Sequence, residues 1–394
     1  MKAIVFHGVG DIRLEEVPDP ELEQSTDAIV RLTASAICGT DLHFVRGTMP
    51  GVAPGTILGH EGVGVVEEVG DDIRGFRPGD RVVICSTISC GFCSYCRAGW
   101  HSQCDNANPN GPGTAFFGGP VSAGGFDGLQ AELARIPYAA TTMVRLPDDI
   151  DDDTAITLSD ILPTGYFGAD MARIHPGRSV AVFGCGPVGQ FAIASAFLMG
   201  AGRVFAIDSV GSRLDIAADQ GAEVIDFSQE DPVQTLRELT GGIGPDRVID
   251  AVGVEAEQAG DGEDHERYAR QLEEIAPERA EGSKWQPGNA PTRAIEWAVE
   301  AIAKAGTISV IGVYPPSVRW FPLGPAMMKN LQVHMGNCPH RRYLPELIEL
   351  VRSGALDPTT ILSGIEPLSS AIEAFEAFDE RRPGWLKVEL QVGS

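Results

Sequence analysis

The chain has 394 residues, 43% of them hydrophobic, which is enough for a sizeable core and about two domains of ordinary α/β composition. Its formal net charge of -25 opposes nucleic acid and anionic membranes as partners, because both need a basic surface. The short apolar run after Lys2 meets His7 and Gly8 at once, unlike a secretory signal, so the expected location is cytoplasmic and the eight cysteines are expected as thiols or metal ligands rather than disulfides.

Residues 1–85 carry the β-branched runs Ala3-Ile4-Val5-Phe6, Ala28-Ile29-Val30-Arg31-Leu32 and Gly62-Val63-Gly64-Val65-Val66 between Gly, Pro and Asp punctuation. No helix-period segment of useful length interrupts them, which predicts a small, partly open β domain. Within it, Cys38-Gly39-Thr40-Asp41-Leu42-His43 precedes Gly59-His60-Glu61. A thiolate and an imidazole separated by a loop suit zinc, and a catalytic zinc needs three protein groups plus an open position. A lone Cys and a lone His so far apart can equally be unrelated. Thr40 and His43 add a hydroxyl two residues from the thiolate and an imidazole three further on, a pair able to carry a proton from a reacting alcohol to solvent.

Cys90, Cys93, Cys96 and Cys104 follow at C-x2-C-x2-C-x7-C, the spacing of a closed tetrahedral S4 site and therefore of a structural zinc. The stretch 106–128, rich in Gly, Asn and Pro with Phe116 and Phe117 embedded, is expected as a long loop bordering a pocket. The β character resumes over 129–144, Pro147 to Thr154 supplies an acidic helix start, and a helix leads into Ser159-Asp160-Ile161-Leu162-Pro163-Thr164-Gly165-Tyr166.

Next, the apolar run Ser179 to Phe183 breaks into Gly184-Cys185-Gly186-Pro187-Val188-Gly189 and then into a helix-like segment. Gly184, Gly186 and Gly189 match G-x-G-x-x-G, in which a strand, a tight turn and a helix N-terminus bind a pyrophosphate. Val204-Phe205-Ala206-Ile207 reads as the next parallel strand, ending at Asp208, whose carboxylate can accept from ribose hydroxyls and so favours NAD over NADP. The uncharged run 180–202 is long enough to span a bilayer, but its glycines, Pro187 and Gln190 argue for a buried βα unit. Further strands are predicted near 223–225, 247–250 and 307–311, with helical segments Gly211–Gln220 and Pro232–Thr240 between them, which gives a doubly wound parallel sheet.

Residues 255–291 are highly charged and sit where a short connection would suffice, as either a disordered insertion or a functional lid. Leu331 to Gly336 is expected as a strand at the sheet edge, followed by a helix from Arg342 to Ser353, another near Ser370–Phe378, and a closing strand Leu386–Val392 that returns to the first domain. Cys85, Cys185 and Cys338 read as small buried residues.

These motifs together, in this order and over nearly the whole chain, resemble the zinc-dependent medium-chain alcohol dehydrogenase superfamily. The stretch Ser159 to Tyr166, Val45-Arg46-Gly47 and the long insertion after Asp250-Ala251-Val252-Gly253 look like its formaldehyde dehydrogenase-like branch. The resemblance implies an α/β fold in which a GroES-like, partly open β domain is built from 1–160 and 337–394. A Rossmann doubly wound parallel-sheet domain would span 161–336, with the insertion at 255–291. It implies two zinc ions per chain and NAD. Cys38, His60 and Asp160 would hold the catalytic zinc, Asp160 standing where many members use a second cysteine. Glu61 would be an alternative ligand and Asp41 a partner of the His60 imidazole. Cofactor contacts would come from Gly184, Gly186, Pro187, Val188, Gly189, Asp208, Arg213, Thr164, Val252 and Val313.

The expected activity is hydride transfer between a zinc-bound alcohol or aldehyde hydrate and NAD, as in a formaldehyde or alcohol dehydrogenase. An NAD-retaining aldehyde dismutase and a non-catalytic NAD- and zinc-binding protein are the alternatives. A thiol adduct of formaldehyde as substrate would need an anion-binding group; Arg46 is the candidate, against its reading as a surface arginine with a snorkelling stem. A homodimer or homotetramer is expected through the edge strand at 331–336.

Overall fold

The computed structural model describes residues 1–258 and 264–393. β1 (Lys2–Gly8) and β2 (Asp11–Glu16) form an antiparallel hairpin. After it come β3 (Ala28–Ile37), β4 (Gly62–Val69), β5 (Arg81–Ile84), β6 (Leu133–Ile136) and β7 (Met143–Arg145). A second group contains β8 (Ser179–Phe183), β9 (Arg203–Asp208), β10 (Glu223–Asp226), β11 (Arg247–Asp250), β12 (Thr307–Val310) and β13 (Gln332–Met335), and the chain closes with β14 (Gly364–Pro367) and β15 (Val388–Gln391).

Two sheets result. The first runs β14-β15-β3-β4-β5-β7, with β6 also paired to β3, so the last strand of the chain lies beside the longest early one. The second runs β10-β9-β8-β11-β12-β13 and is parallel throughout. Its inner strands are near-continuous apolar runs because helices cover both faces; Val180, Val182, Ala181 and Phe183 are all buried, the first two packing to one side and the second two to the other. The fold is therefore a GroES-like β unit joined to a Rossmann sheet. β13 forms one edge of that sheet, as its position in the sequence suggests. No helix among the described residues is long and apolar enough to cross a membrane; the uncharged run 180–202 is β8 followed by the helix Pro187–Leu198.

Three local expectations change. The first concerns the segment after Cys38, which is not a loop but a helix, Gly39–Arg46. The Asp41 carboxylate accepts from the Cys38 N–H at 2.9 Å, and Gly47, at φ 81°, ends the helix in the left-handed region that glycine tolerates. Two turns are too short to show a period. The second is the insertion, whose described residues include a helix where the sequence suggests only charge; residues 259–263 lie outside them. The helix His265–Ile275 collects its charge on one face and buries Tyr268, Gln271 and Ile275 on the other. Trp285 then enters the apolar core of the β unit, and Lys284 pairs with Glu376. The third is Arg46, which is buried rather than at the surface, because the insertion covers the end of its helix.

Candidate functional site

The strand order of the parallel sheet reverses between β8 and β11, and beyond the carboxyl ends of such strands lies the crevice where α/β sheets bind ligands. Here a cleft of about 840 Å3 opens between that reversal and the β unit. Gly184 turns at φ 87°, and a Cβ on Gly189 would lie 1.8 Å from the Gly184 carbonyl oxygen, so glycine is required for helix and strand to approach. Gly186 caps the helix Pro187–Leu198 without a side-chain hydrogen bond, and a Cβ there would meet nothing within 4 Å. Free helix N–H groups facing open space fit a pyrophosphate.

The expected cofactor residues all border this cleft: Pro187 and Val188 at the helix start, Val252 and Val313 beyond β11 and β12, and Thr164 nearer the β unit. Asp208 ends β9 and accepts from the backbone N–H groups of Cys185 (2.7 Å), Ser209 (2.8 Å) and Val210 (3.0 Å), with Arg213 at 3.9 Å. Three bonds leave room on the carboxylate for a ribose hydroxyl.

At the inner end of the cleft, donor atoms of Cys38, His60, Glu61 and Asp160 come within 4.8 Å of one another, all from buried residues. His60 Nε2 is 3.4 Å and Cys38 Sγ 3.7 Å from Asp160 Oδ2. Tetrahedral zinc with ordinary bond lengths has nitrogen–oxygen and sulfur–oxygen edges of about 3.3 and 3.6 Å. The three donors thus fit a zinc ion with a fourth position toward the cleft. His60 Nδ1 sits 3.2 Å from Asp41 Oδ1, near enough for charge attraction but off the line of a hydrogen bond; Asp41 Oδ2 is held instead by Cys38 N and by Gln130 Nε2 at 3.2 Å.

Glu61 is fully buried, with Oε1 accepting from Lys387 Nζ at 2.5 Å and Oε2 unpartnered. Lys387 also donates to the Ile37 carbonyl at 3.0 Å, and a buried carboxylate this close to the donors needs such a cation. Burial alone would raise the Asp160 pKa; hydrogen bonds from His340 and His60 outweigh it and hold the carboxyl well below its ordinary value.

Thr40 and His43 both border the cleft, but among the described residues no hydrogen bond joins them. His43 Nδ1 meets Thr48 Oγ1 at 2.7 Å and Glu255 Oε1 at 3.2 Å. A proton moving from Thr40 to His43 therefore needs a hydroxyl or water between them. Arg46 donates to Asp379 Oδ1 at 2.9 Å and to Glu255 Oε2 at 2.5 Å, so its guanidinium is committed within the protein.

Away from the cleft, the sulfurs of Cys90, Cys93, Cys96 and Cys104 also lie within 4.8 Å of one another, with Cys93 and Cys104 at 4.0 Å against about 3.8 Å for a zinc S4 edge. Backbone N–H groups of Cys90, Cys93, Cys96 and Ala107 point at these sulfurs at 3.3–3.5 Å, which favours thiolates.

His340, Glu255, Lys387 and Gln130 are polar groups of the site that no sequence signal marks. Each reaches its partner across at least 89 residues of chain.

Residues 24–148 match the alcohol dehydrogenase GroES-like domain and residues 187–259 match the zinc-binding dehydrogenase family. The chain is 37% identical to an uncharacterized zinc-type alcohol dehydrogenase-like protein of Bacillus subtilis, covering 99% of this chain and 100% of that one. It is 34% identical to a glutathione-independent formaldehyde dehydrogenase of Pseudomonas aeruginosa, over 97% and 96% of the two chains. Among solved structures, alcohol dehydrogenase TADH from Thermus sp. ATN1 superposes with a TM-score of 0.81 at 36% identity, covering both chains completely. With a closed S4 site, an open mixed-donor site and a glycine turn facing it, the chain belongs to the zinc-dependent medium-chain alcohol dehydrogenase superfamily, oxidoreductases whose cofactors are zinc and NAD.

Proposed function

We propose that this protein oxidises a small alcohol or aldehyde hydrate, formaldehyde in its hydrated form among them, with NAD as hydride acceptor. The observation that carries the reading is the convergence of Cys38 Sγ, His60 Nε2 and Asp160 Oδ2 at the inner end of a cleft whose outer part is the Gly184–Gly189 turn. Residues 1–160 with 337–394 act as the catalytic unit and 161–336 as the cofactor unit, with copies of the chain pairing through β13.

Zinc, when bound, supplies Lewis acidity that lowers the pKa of a substrate hydroxyl toward neutrality. The chain's own groups do the rest. One thiolate and one carboxylate balance the dication, so the site adds no net charge to a buried region. Thr40 receives the substrate proton and, through an intervening hydroxyl or water, hands it to His43, which Thr48 anchors and which passes it outward. The glycine turn and Asp208 would hold the dinucleotide in the cleft, where it would supply a hydride acceptor. Phe116, edge-on to His60 with ring centroids 6.3 Å apart, helps exclude water.

The commitment of Arg46 to Glu255 and Asp379 supports a substrate that is not an anionic thiol adduct. The test is a screen following NADH with formaldehyde alone, formaldehyde plus thiols, and a series of primary and secondary alcohols. The reading expects turnover without thiol, abolished in Asp160→Ala while the four-cysteine zinc is retained. Balanced methanol and formate without added NAD would replace it with a dismutase, and full activity in Asp160→Ala would remove that residue from the site.

A further inference from the structure

Asp160 stands at a break between the helices Asp152–Ser159 and Ile161–Met171, at φ −144° and ψ −63°, and its side chain caps neither. A carboxylate so placed has two oxygens with which to meet a metal. A cysteine has one donor atom and needs no further control, whereas a free carboxylate can turn, bind through both oxygens and fill the open position.

The two oxygens of Asp160 are not equivalent here. Oδ2 faces His60 and Cys38 at 3.4 and 3.7 Å. Oδ1 is turned away from them and takes His340 Nε2 at 2.7 Å and the Thr164 hydroxyl at 3.2 Å. An ionised carboxylate only accepts, so Nε2 of His340 carries the hydrogen and is not itself a metal donor in this arrangement. The other ring nitrogen, Nδ1, meets the Thr87 hydroxyl at 3.1 Å, which fixes the ring plane. His340 is 2% exposed and begins the helix His340–Arg352, so backbone and packing hold it against Asp160 across 180 residues of chain.

We propose that His340 is a positioning residue that occupies Asp160 Oδ1 and so makes the carboxylate a one-oxygen ligand, with Thr87 and Thr164 holding the imidazole and the carboxylate in register. The proposal rests on the reading of Cys38, His60 and Asp160 as a zinc centre. Partners of metal ligands at this remove change metal affinity by about 10- to 100-fold when lost.

The test uses the full chain loaded with zinc and, separately, with Co2+ at the cleft site. Affinity is read by chelator competition and coordination by the visible d–d bands of cobalt. His340→Ala should weaken metal binding at the cleft site by about 10- to 100-fold. It should also lower the cobalt band intensity as the second carboxylate oxygen joins the metal and coordination expands beyond four. His340→Gln, which returns an N–H near the position of Nε2, should recover most of both. The four-cysteine site, unaffected in every variant, reports that the chain is folded. An unchanged affinity and spectrum in His340→Ala overturns the role of His340 alone. Equal losses in Ala and Gln overturn it in favour of plain packing. A wild-type chain that takes up only one metal overturns the zinc centre and the proposal with it.

Discussion

Replacing Arg46 by methionine keeps the apolar stem and removes the charge that joins the helix Gly39–Arg46, the insertion and the C-terminal helix Ala371–Asp379. The side chains of Arg46, Glu255 and Asp379 are 6%, 13% and 8% exposed, so the two carboxylates would be left facing each other out of solvent. Breaking a buried pair from one side costs about 3–5 kcal/mol. The lower end applies, because Glu255 keeps the Gly288 N–H at 3.0 Å and Asp379 keeps the Trp285 N–H at 3.1 Å. With an unfolding entropy near 0.8 kcal/mol/K for a chain of this length, the melting temperature should fall by about 4 °C.

The pH dependence gives the sign. In the native protein burial pushes Glu255 up, but the Arg46 guanidinium with His43 more than cancels it and holds the carboxyl far below its ordinary value. That contribution to stability is present above the unfolded pKa of about 4.5 and lost as pH falls through the folded value. Without Arg46 the balance reverses: burial raises the folded pKa above the unfolded one, and stability is lost as pH rises. The gap between wild type and Arg46→Met should therefore be wider at about pH 8 than at about pH 5.5, measured by calorimetry on zinc-loaded protein. A shift below about 1 °C, or one independent of pH, would refute the buried-triad account.

Three further predictions concern other parts of the chain. Glu389 is 1% exposed, its Oε2 has no partner, and burial together with Asp153, Asp152 and Asp151 pushes its pKa up to about 8. Between about pH 4.5 and pH 8 the folded state keeps this proton while the unfolded state has released it, so stability falls as pH rises across that window; Glu389→Gln should flatten the slope by a few kcal/mol in total, and an unchanged slope would count against it. At the glycine turn, Gly186→Ala should leave the melting temperature alone yet weaken NADH binding more than about tenfold, because its Cβ enters open cleft space. Gly189→Ala should instead lower stability by about 1–3 kcal/mol as well, since its Cβ collides with the Gly184 carbonyl; NADH fluorescence titration and thermal melts separate the two.

What could be read in the sequence was what the chain brings together locally. The four cysteines lie within fifteen residues, and the glycine turn within six, so backbone geometry nearly determines both sites. The parallel sheet was visible for a similar reason: buried strands leave unbroken apolar runs, and their order follows the alternation with helices. Asp160 meets Cys38 across 122 residues, and only resemblance to a family connected them. Arg46 looked like a surface residue because arginines usually are, and the carboxylate that buries it enters from 209 residues away. His340 and Lys387 carry no sequence signal, because a lone histidine or lysine has no period and no spacing to mark it. Composition showed the insertion's charge but not that one face of it is apolar.

Trp285 gives the insertion a mechanical consequence. By chain connectivity it belongs with the parallel sheet, yet its indole is 7% exposed and embedded in the core of the β unit. A rotation that widened the cleft by carrying the sheet away would have to withdraw that ring, re-exposing roughly 150–250 Å2 of apolar surface at a cost of about 4–6 kcal/mol. The two units are thus fastened at Trp285 as well as by their covalent crossings. Any opening that parted the two units at Trp285 would carry that cost in full.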